Sequence, residues 1–153
     1  MSRLLRISII ALAATLAAMD ADPLMGTWKV LPESVKPGGN GPKNIVMKFE
    51  TTEVAGEVKF TLSGEINEQP YSYTWTAKPG SGKHRVEGQT RTQEVEFERP
   101  AANRMVTIYY RDGQESARHD STISPDGRAL TTKSRSKNRA GETVESEAQY
   151  RKQ

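Results

Sequence analysis

Apolar residues at every second position, repeated in segment after segment, restrict this chain to sheet. From Asn44 onward, Ile45, Met47 and Phe49 alternate with Val46, Lys48 and Glu50, and Val58, Phe60, Leu62, Gly64 and Ile66 alternate with Lys59, Thr61, Ser63 and Glu65. Tyr71, Tyr73, Trp75 and Ala77 then alternate with Ser72, Thr74, Thr76 and Lys78. Neighbouring side chains on a strand point to opposite faces, so each run is a strand with one buried face. Beyond residue 18 no segment carries the stripe of an amphipathic helix, and little or no helix is expected.

The remaining strands fall between turn signals. Leu24 to Leu31 is the first, ended by Pro32, and Ser34 to Lys43 is a Pro- and Gly-rich loop that could lie over one end of a small barrel. A short strand near Arg85 to Thr90 and another at Gln93 to Arg99 precede Arg104 to Arg111 and Gln114 to Ser124, which flank Asp112-Gly113. That dipeptide suits a two-residue hairpin turn, which needs positive φ at both places. Pro125-Asp126-Gly127 and Asn138 to Gly141 set off the closing strands, Ala129 to Lys137 and Glu142 to Lys152. The fold class is therefore all-β, an up-and-down antiparallel meander of about eight to ten strands closed into a barrel, because closure removes the sheet edges.

The turns also predict register. A two-residue turn at Asp112-Gly113 pairs Arg111 with Gln114 and carries Ile108 to Ala117, Val106 to His119 and Arg104 to Ser121. The next two turns align Ile123 with Leu130, Ser121 with Thr132, His119 with Ser134, Ser134 with Ser146, Thr132 with Ala148 and Leu130 with Tyr150. On this reading the first half supplies large inward residues (Phe60, Tyr71, Tyr73 and Trp75 among them), while the last strands supply His119, Ser134, Ser146 and other small ones. Small hydroxylated side chains cannot fill a barrel by themselves, so a cavity is expected unless the aromatics reach across and the hydroxyls bond to neighbouring groups.

Ahead of the sheet, Arg3 and Arg6 precede the apolar run Ile7 to Leu16 and a small-residue stretch, the pattern of a signal peptide over residues 1–18, leaving one domain over residues 19–153. The run is too short for a comfortable membrane span, so an exported product, periplasmic or secreted and without stable membrane insertion, is expected. The chain has no cysteine, which excludes disulfides and thiolate chemistry. Of 22 basic residues Arg3 and Arg6 leave with the signal, so the rest nearly balance 19 acidic ones, which argues against nucleic acid as a partner. Lys133, Arg135, Lys137 and Arg139 alternate along one strand and read as its wet face.

Gly26-Thr27-Trp28, placed after an export signal and at the head of a meander, resembles the G-x-W motif of the lipocalins and related barrels. With the Ser124 to Arg128 turn, the threonine-rich strands after it and the closing Tyr150, the chain resembles a group of small exported bacterial proteins of unknown function classed with lipocalin-like folds. The resemblance implies that Gly26 and Trp28 close one barrel end and that a late basic residue lies over the indole. Arg151 is the candidate by position, with Arg135 second. In the related fatty-acid carriers inward arginines hold a carboxylate; here only Arg104 falls in the inward phase, at a strand end.

Nothing composes a catalytic centre. His84 and His119 are too few for a metal site, and no inward carboxylate neighbours His119. Pairing His119 with Ser134 or Ser121 lacks an acid to orient the ring and a nucleophile turn with an oxyanion hole; a hydrogen bond from His119 to Ser134 or Ser146 is the simpler expectation. Gly38-Gly39 and Gly80-Ser81-Gly82-Lys83 resemble phosphate loops but precede no helix. No cofactor is expected. The reading is a barrel that binds a small apolar or amphipathic ligand against Phe60, Tyr71, Tyr73 and Trp75, its polar end on His119, Ser134 or Ser146. Two alternatives are a dry-cored barrel that binds or inhibits another protein, and a lipocalin-like isomerase or cyclase.

Overall fold

The computed structural model describes residues 21–37 and 41–153; the expected export signal and Gly38-Gly39 lie outside them. The strands are β1 (Gly26–Val30), β2 (Lys43–Thr51), β3 (Val58–Ile66), β4 (Gln69–Ala77), β5 (Lys83–Arg85), β6 (Glu87–Gly88), β7 (Glu94–Ala101), β8 (Arg104–Arg111), β9 (Gln114–Ile123), β10 (Ala129–Lys137) and β11 (Thr143–Lys152). The only helical element among the described residues is a single 3-10 turn at Pro32–Ser34. All strand pairs are antiparallel, in the order β5-β7-β8-β9-β10-β11-β1-β2-β3-β4-β6, and the sheet curls into a nearly closed barrel. Eleven strands stand against the eight to ten expected because the short strand near residues 85–90 is in two pieces.

That division is how the barrel nearly closes. β5 pairs with β7, and after Val86 the chain crosses to pair β6 with β4. Gly88 makes the crossing possible: its φ is 116°, and a Cβ there would stand 2.6 Å from the Ser72 carbonyl oxygen. At the other end of the seam the Gly80 amide donates to the Phe97 carbonyl at 2.8 Å. Trp75 and Phe97 meet across this seam with ring centroids 5.1 Å apart.

β9, β10 and β11 pair in the expected register, placing Ser121 beside Thr132, His119 beside Ser134 and Ser134 beside Ser146. β8 does not. The turn forms as expected, with φ of 50° at Asp112 and 76° at Gly113, but Tyr110 pairs with Glu115 and Tyr109 with Ala117, leaving Ser116 as an extra residue in β9. A bulge of this kind flips every side chain beyond it. Met105, Thr107 and Tyr109 therefore point inward, beside Ser121, His119 and Ala117, and Val106 and Ile108 point outward. The outward pair is nevertheless buried, since Glu98 and Asp120 flank Val106, and Glu96 and Arg118 flank Ile108, and long charged side chains cover apolar surface with their stems. The inward phase expected for Arg104 is corrected by the same bulge: its guanidinium pairs with Asp120 at 2.6 Å on the outside.

The closed end is organised by Trp28, which is wholly buried. Its indole N–H donates to the Leu24 carbonyl at 2.9 Å, which folds the residues before β1 across the barrel end. Arg99 holds the same segment by two hydrogen bonds to the Asp22 carboxylate, each 3.1 Å. The cation over the indole is Lys152, with Nζ 5.1 Å from the ring, and not Arg151. Parity explains the correction. Tyr150 faces inward, so Lys152 two residues later shares its face and pairs with Trp28, while Arg151 is exposed on the outer face. Lys152 also donates to the Pro23 carbonyl at 2.8 Å, and Gly26, at φ 120°, leaves the room this side chain needs, since a Cβ there would lie 3.1 Å from Lys152 Cε.

The basic residues of β10 face out among acids: Arg135 pairs with Glu145 at 3.5 Å and both side chains are exposed, so this stripe is the wet face of the sheet. Truncating Trp28 to Ala should lower stability by about 3–5 kcal/mol, the usual cost of removing a core aromatic. Lys152→Ala should cost about 1 kcal/mol through the lost cation–ring contact and hydrogen bond, whereas Arg151→Ala should be within about 0.5 kcal/mol of neutral. Urea unfolding of the three variants checks this; an Arg151 variant weaker than the Lys152 variant would reverse the assignment.

Candidate ligand-binding cavity

The barrel interior is filled at one end and hollow toward the other. Along the first wall a run of aromatics packs ring to ring: Phe49 on Phe60 at 4.9 Å, Phe60 stacked on Trp75 at 4.9 Å, and Tyr73 edge-on to Tyr109 at 6.0 Å. Their polar tips converge on one atom. Tyr109 Oη accepts from the Tyr73 hydroxyl and from the Trp75 indole N–H, both at 3.3 Å. Burial pushes both phenols above their ordinary pKa, Tyr73 furthest because the neighbouring Tyr109 adds to it. Both are neutral donors and acceptors at any physiological pH. The aromatics thus do reach across, but only in this region.

Opposite them, β9, β10 and β11 present small groups. Ser121 and Thr132, both buried, bond to each other at 2.8 Å. One step toward the open end comes the row His119, Ser134, Ser146, adjacent residues on three neighbouring strands. Small side chains on this wall and large ones already packed on the other leave a cavity of about 380 Å³, within the range of small-molecule sites. All seven residues expected to hold a ligand border it: Phe60, Tyr71, Tyr73, Trp75, His119, Ser134 and Ser146. Trp28 does not, so plug and cavity are separate.

The mouth lies where β1 ends and β11 runs on. Leu31 donates to the Gln149 carbonyl at 2.8 Å, and Lys36 exchanges two backbone hydrogen bonds with Glu147, so the chain after β1 follows the β11 edge. Val35, Pro37, Gly41 and Pro42 from this connection line the opening, the position expected for a segment across the barrel end.

His119 departs from expectation. Its ring lies 5.1 Å from that of Tyr109, and among the described residues neither ring nitrogen makes a hydrogen bond, to Ser134, Ser146 or any other group. The half-buried ring borders the hollow, and loss of solvation within the barrel alone lowers its pKa to about 4. At neutral pH it is an uncharged imidazole with one donor and one acceptor. The other histidine is remote from the cavity and bonds Ser81 Oγ at 2.6 Å.

Met105, Thr107 and Tyr109 of β8 also line the cavity and were missed because the Ser116 bulge reverses their phase. A second concavity, about 510 Å³, sits between Asp22, Arg99 and the β2–β3 turn. Of its three charged groups, Asp22 and Arg99 pair with each other and Glu57 accepts from Thr52 Oγ1, which leaves little to recognise a ligand. Comparison with known proteins finds no family model that matches this chain and no matching curated protein. Fold and site together define an antiparallel, nearly closed β-barrel with an aromatic-walled interior cavity.

The desolvated imidazole has a consequence for stability. The folded protein holds His119 near pKa 4 while an unfolded histidine titrates near 6.5, so the unfolded chain takes up the extra proton between those values. Stability should therefore fall as pH drops from 6.5 toward 4 and be indifferent to this group above that window. The span is worth up to about 3 kcal/mol. Urea unfolding between neutral pH and the lower end should show a steeper loss for wild type than for His119→Leu; parallel curves would contradict a neutral, desolvated ring.

Proposed function

We propose that the protein is an exported, lipocalin-like barrel that binds a small, largely apolar ligand in its interior. The observation that carries the reading is the division of the cavity into two unlike walls. Aromatic rings whose polar tips are already paired offer apolar surface, and a row of unpaired polar groups faces them. Such a pairing buries an apolar body and fixes its polar end, the usual design of a small-molecule site. The position of Gly26 and Trp28 at the closed end, with a basic residue over the indole, supports the lipocalin-like assignment. The signal-like pattern over residues 1–18 supports export. A dry-cored interaction barrel fits less well, because the hollow interior gives up packing that a purely structural core retains.

Native mass spectrometry of the freshly purified protein, with an organic extract analysed in parallel, tests the proposal. A bound small molecule is expected in both, and adding it back should change Trp75 fluorescence. A clean apo mass and no fluorescence response to hydrophobic probes would count against ligand binding and favour the protein-partner reading.

A further inference from the structure

The interior polar groups divide into those the protein satisfies and those it leaves open. Ser121 with Thr132, and Tyr73 and Trp75 with Tyr109, are paired. His119, Ser134 and Ser146 are not paired with one another or with any other described side chain, and they stand side by side across β9, β10 and β11. Neighbouring strands are roughly 4.8 Å apart, so the row forms a polar edge of about 10 Å along one wall.

No lysine or arginine among the described residues borders this cavity; Lys36, Arg118, Lys133 and Arg135 line an adjoining concavity that shares Ser134, Ser146 and Glu147 with it, where they stand among Asp120 and Glu145. The one residue of a charged type bordering the cavity itself is Glu147, which sits at the mouth on the outer phase of β11, paired in register with Lys133. The candidate cation for an anionic ligand, Arg104, is committed to Asp120 outside the barrel. Every open group in the row is uncharged, and each can both donate and accept a hydrogen bond. A carboxylate seated beside His119 and Ser134, inside the exposed Ser146, meets no counter-charge and too few donors to replace its water, and an unpaired charge taken out of water is heavily disfavoured. A hydroxyl, carbonyl or amide loses far less on leaving water and finds matching partners.

We infer that the cavity selects an uncharged amphipath carrying hydroxyl or carbonyl groups along one edge, and that it rejects carboxylates of the same body. The inference rests on the binding function proposed above and names the ligand class for that site. Orientation follows from it. The polar edge lies along β9 to β11, and the apolar body faces Phe60, Tyr73 and Trp75.

Calorimetric titration at neutral pH with naphthol, naphthoate and naphthalene, and with decanol and decanoate as an aliphatic pair, tests the inference. Each neutral compound should bind at least about tenfold more tightly than its carboxylate. His119→Leu should weaken naphthol about fivefold, the worth of one neutral hydrogen bond, and leave naphthalene unchanged. Ser146→Lys, which adds a cation at the exposed mouth position, should narrow or reverse the preference for naphthol over naphthoate. Equal or tighter binding of the carboxylates by wild type would overturn the class while leaving a binding barrel standing. So would a His119→Leu variant that binds naphthol as before, or a Ser146→Lys variant whose preference is unmoved. If none of the five compounds bound, the binding function itself would fall, and the class with it.

Discussion

The indole of Trp75 is where the two ends of the curled sheet are tied together. It stacks on Phe60 within its own half, tilts against Phe97 across the seam, and donates to Tyr109 on the far side of β7. Backbone pairing alone is thin there: β5 and β6 contribute five residues between them, split at Val86. Ring packing and one shared hydroxyl do what a full-length strand pair does elsewhere in the barrel. The arrangement also determines the chemistry of that wall. Because Tyr73 and Trp75 spend their donors on Tyr109, three residues with polar tips present mainly apolar surface to the cavity.

The opposite wall follows from volume. Toward the mouth three neighbouring strands bring alanine, serine and threonine inward, and only His119 there is large. The barrel could close over that deficit in two ways, by pulling the walls together or by leaving space. Near the closed end the first happens: Ser121 and Thr132 pair, and Leu130, Ile123 and Tyr150 are buried with the aromatics. Toward the mouth β1 is too short to hold β11 and β2 together, the connection after it wedges between them, and the space remains. The polar row lies in this open half, which is why its groups stay free of partners.

Much of this was legible in the alternation of residues, and the misses have identifiable causes. The rows from β9 to β11 could be read because the two turns that join them agreed and any slip would have put charges inside. β8 could not, because both of its phases are apolar over Met105 to Tyr109, and nothing in Glu115-Ser116-Ala117 marks which residue is extra. Composition gives no warning of a bulge built from small, ordinary residues. The basic residue over Trp28 was readable and was misassigned: once Tyr150 faces inward, Lys152 must do so too. The unpaired state of His119 was beyond sequence reasoning, since adjacency to Ser134 across a ladder leaves open whether the rings and hydroxyls turn toward each other.

The interior beside Ser134 is open space held by a rigid frame. Replacing Ser134 with Phe and measuring urea unfolding tests it directly, because extra volume is tolerated only where nothing already occupies it. Stability equal to or above wild type is expected, since the ring buries apolar surface against the aromatic wall. A loss of about 1–3 kcal/mol, the ordinary cost of overpacking a filled core, would contradict it.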